Sequence, residues 1–131
     1  MKSIFTLLFS VFLMSSLTAQ TKQNVDITFD KESLDIGIVK RGEIKTFSYQ
    51  FTNTGIEDIE IEIVSGCDCT TTDWTVGIIK PGEKGTIDVV FNSTEKEASE
   101  MVDVDLYLKN LNPISDAPYL FILDYSFVLE E

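Results

Sequence analysis

The sequence predicts an all-β protein, a single antiparallel β-sandwich of about seven or eight strands. Three observations favour this fold. Apolar and polar residues alternate with period two through most of the chain, as in half-buried strands. Clusters containing glycine, proline or asparagine separate these segments and are typical of turns. No helical segment is long enough to connect parallel strands, which favours antiparallel pairing.

The first residues are typical of an export signal. Lys2 supplies a positive charge, and the segment Ile4–Met14 that follows is largely apolar. This segment is shorter than the roughly 20 residues that a membrane-spanning helix needs, so a cleaved signal is favoured over a retained anchor. We therefore expect a signal peptide over residues 1–19 and a mature domain over residues 20–131, in the periplasm or secreted, with no membrane span after cleavage.

The strands of the mature domain are predicted from alternating apolar residues, taken in chain order. One face of most segments is apolar and the other carries charged or hydroxyl side chains, so each strand has one face on the core and one in water. Turn residues occupy Lys40–Glu43, Asn53–Gly55, Lys80–Glu83 and Asn112–Pro113. The predicted strands are Val25–Phe29, Leu34–Val39, Phe47–Phe51, Ile59–Ile63, Ile87–Phe91, Val102–Leu108 and Tyr119–Leu129.

The last predicted strand differs from the others because apolar residues occupy both of its faces. Leu120, Ile122 and Val128 add apolar side chains to the second face, which Asp124 and Ser126 interrupt. One interpretation is that the N-terminal segment or a loop covers this face. The alternative is an exposed interaction edge at Leu120, Ile122 and Val128 that docks a strand of a partner.

Composition excludes several classes of function. The chain has 22 acidic and 10 basic residues and a formal net charge of −12, so we expect it to bind neither nucleic acid nor anionic lipid surfaces. It contains no histidine, which excludes a Ser-His-Asp or Cys-His centre and a histidine-ligated metal. Many acidic residues fall on outward strand positions. We therefore predict no catalytic residues, no cofactor and no metal site.

Cys67 and Cys69 are the only cysteines and form the one local cluster with chemical reactivity. In a flat strand their Cα atoms would be about 6.6 Å apart, near the upper limit for a disulfide, so a bend at Gly66 or Asp68 is needed to join them. An oxidising compartment favours such a pair. Three states stay open: a small disulfide ring, two free thiols, or a thiol-redox or soft-metal site. Met101, the one other sulfur ligand of the predicted mature domain, is distant in the sequence.

Five short segments follow one another in a specific order: Gly37–Glu43, Phe51–Gly55, Gly66–Thr70, Ile79–Gly85 and Ile87–Ser93. Together they resemble the bacterial family called domain of unknown function 1573, which is common in exported proteins of Bacteroidetes-like bacteria. The resemblance runs from about residue 34 to residue 93. It implies an immunoglobulin-like fold of the Hydin and major-sperm-protein type, and it implies no enzymatic reaction.

The sequence departs from the family pattern at two places. The family usually has the segment Cys-Gly-Cys-Thr, whereas this sequence has Asp68 in place of the glycine. The turn at this position therefore lacks its usual glycine. Leu34 and Ile36 stand where the family tends to have phenylalanine, which is an ordinary exchange between core residues.

These observations lead to one expected function and one alternative. We expect a non-enzymatic, exported β-sandwich that serves as a protein-interaction or structural module of the cell envelope, with a protein of the envelope as its partner. The alternative is a soft-metal-binding or thiol-redox protein that uses Cys67 and Cys69. A carbohydrate-binding module is disfavoured, because Trp74 and Tyr107 are too few aromatic residues for such a surface.

Overall fold

Eight β-strands form the regular structure of residues 24–131, the part of the chain that the computed structural model describes. These residues contain no helix. The strands are β1 (Ile27–Phe29), β2 (Ser33–Lys40), β3 (Ile44–Asn53), β4 (Ile61–Ser65), β5 (Thr70–Trp74), β6 (Lys84–Asn92), β7 (Glu100–Leu111) and β8 (Pro118–Glu130). The predicted all-β class and the predicted number of strands are confirmed.

The strands form two four-stranded sheets. The first sheet has the order β1-β3-β6-β5, and the second has the order β2-β8-β7-β4. The chain changes sheet at every connection except β5–β6 and β7–β8, which join neighbours in the same sheet. Repeated exchange between two sheets is typical of an immunoglobulin-like sandwich, so the predicted architecture is confirmed.

One strand pair differs from the predicted antiparallel arrangement. β2 runs parallel to β8, with Leu34 opposite Tyr125, whereas the other strand pairs in residues 24–131 are antiparallel. Parallel neighbours need a long connection, and here that connection contains β3 to β7. The β2–β8 register shifts between Asp35 and Ile38, where Gly37 has φ of +79°. Such a conformation favours glycine because it has no Cβ.

Alternate residues of both sheets fill the space between them. β6 shows this pattern clearly, since Ile87, Val89 and Phe91 are buried whereas Asp88 and Val90 face outward. Removal of such apolar surface from water is the main contribution that favours folding. The fully buried residues of the core include Val39, Tyr49, Phe51, Ile59, Ile79, Ile87, Val89, Phe91, Val104, Leu106, Leu108, Leu123 and Tyr125.

Aromatic rings join the two sheets near one end of the core. The ring of Tyr125 in β8 lies 4.8 Å from that of Phe47 and 5.4 Å from that of Phe91, measured between centroids. Phe91 also contacts Phe127 at 4.7 Å. Tilted and edge-on ring pairs of this kind stabilise a core beyond the area they bury.

The seven predicted strands differ from the observed bounds by one to three residues at one or both ends, and one observed strand was not predicted. The predicted strand Ile59–Ile63 begins later, at Ile61, because Ile59 makes only an isolated bridge to Ile79. β5 is absent from the predicted strands, because Thr70–Trp74 contains a single large apolar side chain and shows no apolar alternation.

The predicted signal peptide over residues 1–19 lies outside the described residues, as does the predicted start of the mature domain at Gln20. Both boundaries stay predictions. Within residues 24–131, no helix is long and apolar enough to cross a bilayer.

Candidate functional site

The two cysteines lie in the connection from β4 to β5, where the chain crosses from the second sheet to the first. The amide of Thr70 donates a hydrogen bond to the carbonyl of Cys67, 2.9 Å, and closes a tight turn with Asp68 and Cys69 at its centre. The turn brings the two cysteine Cα atoms to 5.2 Å, and their sulfurs are joined as a disulfide. This distance lies within the usual range for disulfides.

This turn needs a glycine at position 66 and not at position 68. A Cβ at Gly66 would lie 3.0 Å from Cβ of Thr70, tighter than ordinary packing allows. In residues 24–131, Asp116 is the one non-glycine residue with positive φ, so Asp68 has an ordinary backbone conformation. The aspartate at position 68 is therefore compatible with the turn, although the related segments usually have glycine there.

The hydroxyl of Thr70 lies beside both sulfurs. Its Oγ1 atom is 3.3 Å from Sγ of Cys67 and 3.5 Å from Sγ of Cys69. The same Oγ1 is 2.7 Å from the hydroxyl of Tyr125, which itself lies 3.8 Å from Sγ of Cys69. Burial raises the pKa of Tyr125, so this phenol stays protonated at neutral pH and is available as a donor.

Acidic side chains surround the disulfide on both sides. Cys67 lines a shallow depression that also contains Lys96, Glu100, Met101, Asp103 and Asp105. Cys69 lines a second depression with Asp68, Asn92, Thr94 and Glu95. Both cysteines are partly exposed and pack against the edge of the core. A cationic ligand or reagent is therefore favoured here over an anionic one.

Met101 is brought to the cysteine turn despite its distance in the sequence, because β7 begins beside this turn. Within residues 24–131 there is no group of three or more cysteine, aspartate or glutamate residues arranged to hold a metal ion. The three sulfur-bearing residues are thus the only soft ligands near this position among those described. The geometry therefore supports disulfide and thiol chemistry at Cys67 and Cys69 more directly than it supports metal binding there.

The predicted interaction edge needs correction, because most of β8 is not an edge. β8 lies between β2 and β7, and Val128 pairs with Ile38 of β2. β2 begins at Ser33, opposite Asp124, so the first half of β8 has a strand neighbour only on the β7 side among residues 24–131. Val128 is therefore not an edge residue, and the predicted interaction edge is wrong at this position.

The open half of β8 contains Leu120 and Ile122. The amide of Asp124 donates to the carbonyl of Glu32 on the β2 side. Because backbone groups two residues apart in a strand point the same way, the amides and carbonyls of Leu120 and Ile122 point to this open side. Leu120 and Ile122 are 44% and 58% exposed, so both residues are accessible to solvent.

An apolar row crosses the outer face of the second sheet at this position. Leu120 lies opposite Tyr107 of β7, and Tyr107 lies opposite Ile63 of β4. Ile122, two residues along β8, extends the row on the same face. We call Ile63, Tyr107, Leu120 and Ile122 the outer-face patch. Neither a loop nor the N-terminal segment of the described chain covers it, since Ile63 is also exposed.

Carboxylates adjoin the outer-face patch. Asp105 lies opposite Ile122, and Asp103 lies opposite Asp124 in the next outward-facing pair. The patch therefore combines apolar side chains with concentrated negative charge.

Thr70 and Tyr125 were not predicted as site residues. Thr70 belongs to the Cys-Asp-Cys-Thr segment, which gave a local signal. The sequence contains no such signal for Tyr125, because Leu123, Tyr125 and Phe127 alternate in the way that is typical of core residues. The contact of Tyr125 with the cysteine turn depends on the packing of the two sheets.

Comparison with known proteins supports the fold. A family model described as protein of unknown function (DUF1573) matches residues 27–115. No curated protein matches the sequence.

Three solved structures have a similar fold. A protein of unknown function from Porphyromonas gingivalis W83 aligns with 88% of this chain and 51% of its own, at 17% identity and a TM-score of 0.65. The ASH/PapD-like domain 7 of human CEP192 aligns with 91% of this chain and 94% of its own, at 12% identity and a TM-score of 0.58. The YadV chaperone aligns with 81% of this chain and 53% of its own, at 12% identity and a TM-score of 0.57. The chain thus spans about half the length of the Porphyromonas protein.

Proposed function

The chain belongs to the family of proteins of unknown function DUF1573, and on that premise we propose that it is a non-enzymatic protein-interaction module of the cell envelope, exported to the periplasm or secreted. Its partner contributes an extended segment that binds along the open half of β8. The absence of histidine from the sequence supports a non-enzymatic role. The similar folds of a PapD-like domain and of a chaperone are compatible with a module of this kind.

The open half of β8 carries this proposal. Within residues 24–131, no strand pairs with Leu120 or Ile122 on the β2 side, where their backbone groups lie beside exposed apolar side chains. An extended peptide that adds to a sheet edge gains affinity from backbone hydrogen bonds and specificity from alternate side chains. Long open edges also promote aggregation. Here the open length is limited, because β2 pairs with the remainder of β8 from Asp124 onward.

The charge around the outer-face patch determines the chemistry of the partner segment. Asp103, Asp105 and Asp124 lie beside the apolar side chains on the same face. A complementary segment would alternate apolar residues with lysine or arginine, since charge complementarity speeds association and excludes acidic competitors.

A peptide selection tests this proposal. Extended random peptides selected against the wild-type protein should show apolar residues alternating with lysine or arginine. Ile122→Lys should weaken binding of the best peptide at least tenfold, whereas Val76→Lys, which changes an exposed residue of the β5–β6 loop, should leave it unchanged. Hydrogen exchange at the amides of Leu120 and Ile122 should slow when the peptide binds. Equal binding by both variants would contradict the proposed surface.

Export is tested separately from binding. The full chain, produced in a bacterial host, should accumulate in the periplasm or medium, and its intact mass should correspond to a first residue of Gln20. A full-length product that stays in the cytoplasm would contradict the proposed location.

A further inference from the structure

We propose that the disulfide between Cys67 and Cys69 is a thiol-exchange site, in which a thiol reagent attacks Sγ of Cys67 and Cys69 departs as the thiolate. The hydroxyls of Thr70 and Tyr125 stabilise this leaving group. The proposal does not depend on the peptide-binding function, because the exchange uses the two sulfurs and the hydroxyls of Thr70 and Tyr125, and it uses neither Leu120 nor Ile122. Asp103 and Asp105 adjoin both sites.

The hydroxyl contacts distinguish the two sulfurs. Among the described residues, Sγ of Cys69 has two hydroxyls nearby, Thr70 at 3.5 Å and Tyr125 at 3.8 Å, whereas Sγ of Cys67 has only Thr70, at 3.3 Å. The two hydroxyls also bond to each other, so one hydroxyl proton is left for a sulfur; Cys69 can accept it from either hydroxyl, whereas Cys67 can accept it only from Thr70. Hydrogen bonds to a charged form favour that form, so a thiolate at Cys69 has a donor in both arrangements and is better stabilised than one at Cys67. In thiol–disulfide exchange the sulfur that forms the more stable thiolate leaves faster.

Thr70 and Tyr125 can act together because their oxygens are 2.7 Å apart. When Tyr125 donates to Oγ1 of Thr70, the hydroxyl proton of Thr70 can point at either sulfur. When Thr70 donates to Tyr125 instead, the hydroxyl proton of Tyr125 can point at Sγ of Cys69. Gly66 favours this geometry, since a Cβ there would lie only 3.3 Å from Oγ1 of Thr70 and would press on its side chain. The donors are therefore in place before the disulfide is cleaved.

The exchange balances with a dithiol as the reductant. In the first step the attacking thiolate forms a bond to Sγ of Cys67, the bond between Cys67 and Cys69 breaks, and its electron pair goes to Sγ of Cys69. In the second step the other thiolate of the reagent attacks its own bound sulfur and releases Cys67 as a thiolate. Two electrons pass from the dithiol, which becomes a disulfide, and its two protons pass through solvent to the cysteine pair.

The surrounding charge selects among reagents. Asp68 and Glu95 lie on the Cys69 side, and Glu100 and Asp103 lie with Lys96 on the Cys67 side. Net negative charge repels anionic thiols and attracts cationic ones, and this effect weakens as salt screens it. The physiological reagent is accordingly a dithiol presented on a basic surface.

Reduction kinetics test the role of the hydroxyls. The full chain and its variants are treated with excess dithiothreitol, quenched by alkylation and analysed by mass. Thr70→Val and Tyr125→Phe should each slow reduction about three- to tenfold, because the leaving thiolate loses a donor. Thr71→Val, which alters the neighbouring outward-facing threonine of β5, should react at the wild-type rate. Equal rates in all four proteins would overturn the proposal.

Two measurements on the wild-type protein need no variant. After brief treatment with cysteamine and an acid quench, the mixed disulfide should reside mainly on Cys67, with Cys69 free. An adduct mainly on Cys69, or divided equally, would overturn the assignment of the leaving group.

The second measurement compares two reagents of opposite charge. Per thiolate, cysteamine should react several times faster than 2-mercaptoethanesulfonate at low salt, and the ratio of the two rates should approach one at high salt. An inverted or salt-independent ratio would overturn the charge selection.

Discussion

The hydroxyl of Tyr49 donates a hydrogen bond of 2.6 Å to the backbone carbonyl of Asp124 and thereby joins the two sheets. Tyr49 lies in β3 of the first sheet, and Asp124 lies in β8 at the position where β2 begins to pair. The side chain is almost completely buried. The bond therefore fixes β8 at the boundary between its paired and open halves.

Tyr49→Phe should lower the free energy of unfolding by about 1–2 kcal/mol, since it removes one buried hydrogen bond without changing the packed ring. Urea unfolding followed by tryptophan fluorescence measures this loss. Tyr107→Phe is the matched control: its side chain lies on the outer face and its change should fall within about 0.5 kcal/mol. Equal losses in the two variants would contradict a special role for the Tyr49 bond.

Alkaline pH should destabilise the fold through two buried phenols. Burial raises the pKa of Tyr49 and of Tyr125 above the ordinary value of about 10. Their contribution is complete below the unfolded-chain pKa of about 10 and is lost as pH rises from there toward the raised pKa values of the folded protein, because the unfolded chain releases these protons first. The unfolding free energy should therefore fall as pH rises above about 10. Tyr49→Phe should make this fall shallower, whereas Tyr107→Phe should leave its slope unchanged.

The sequence predicted those parts of the fold that depend on local alternation. β6 and β7 are recognisable because each exposes polar residues on one face and buries apolar residues on the other. The parallel pairing of β2 with β8 could not be predicted in this way, because pairing between distant strands depends on the complete topology. The same limit applies to the site: Cys67 and Cys69 are close in sequence, whereas Tyr125 reaches them only when the sheets pack.

Gly85 and Phe51 are a second pair that the sheet register places directly opposite one another. A Cβ at Gly85 would lie 2.3 Å from Cζ of Phe51, so the ring occupies the space that a side chain would need. Gly85→Ala should destabilise the protein by about 1–3 kcal/mol through overpacking. Thermal or urea unfolding measures the change.

A double-mutant cycle separates this clash from general effects of the substitution. Phe51→Leu removes the ring atoms nearest to position 85, so Gly85→Ala should cost less in the Phe51→Leu background than in the wild type. The coupling energy should be at least about 0.5 kcal/mol. Simple additivity of the two substitutions would show that the close approach does not determine the cost.

Asn53 should be among the most sensitive polar positions. Its buried side-chain amide donates to the carbonyls of Glu57 and Ile79, at 2.8 and 2.9 Å, and its Oδ1 accepts from the amide of Gly55. Asn53→Ala removes all three bonds, although the carbonyl of Ile79 keeps the amide of Ile59 and the amide of Gly55 keeps the carbonyl of Asp26. The substitution should cost about 2–3 kcal/mol in unfolding free energy. Asn92→Ala, at the exposed end of β6, should cost less than about 1 kcal/mol. A similar cost at both positions would contradict the importance of the buried bonds.

Asp103 and Asp124 lie directly opposite one another on β7 and β8, and this pair should oppose folding. Facing like charges destabilise a sheet, so Asp103→Asn should raise the unfolding free energy by about 0.2–1 kcal/mol at low salt. The gain should shrink in about 1 M salt, where the screening length is only about 3 Å. Glu97→Gln, in the β6–β7 loop, removes one charge elsewhere and should give a smaller gain.

The same substitution connects stability to the proposed binding surface. If a basic segment binds beside this pair, Asp103→Asn should stabilise the free protein and yet weaken binding of the selected lysine- or arginine-containing peptide. Opposite effects on stability and affinity are expected where an unfavourable charge is retained for recognition. A titration of the peptide against both proteins at two salt concentrations measures the second effect. Unchanged affinity in Asp103→Asn, with affinity lost in Ile122→Lys, would retain the apolar contact but contradict the charge complementarity.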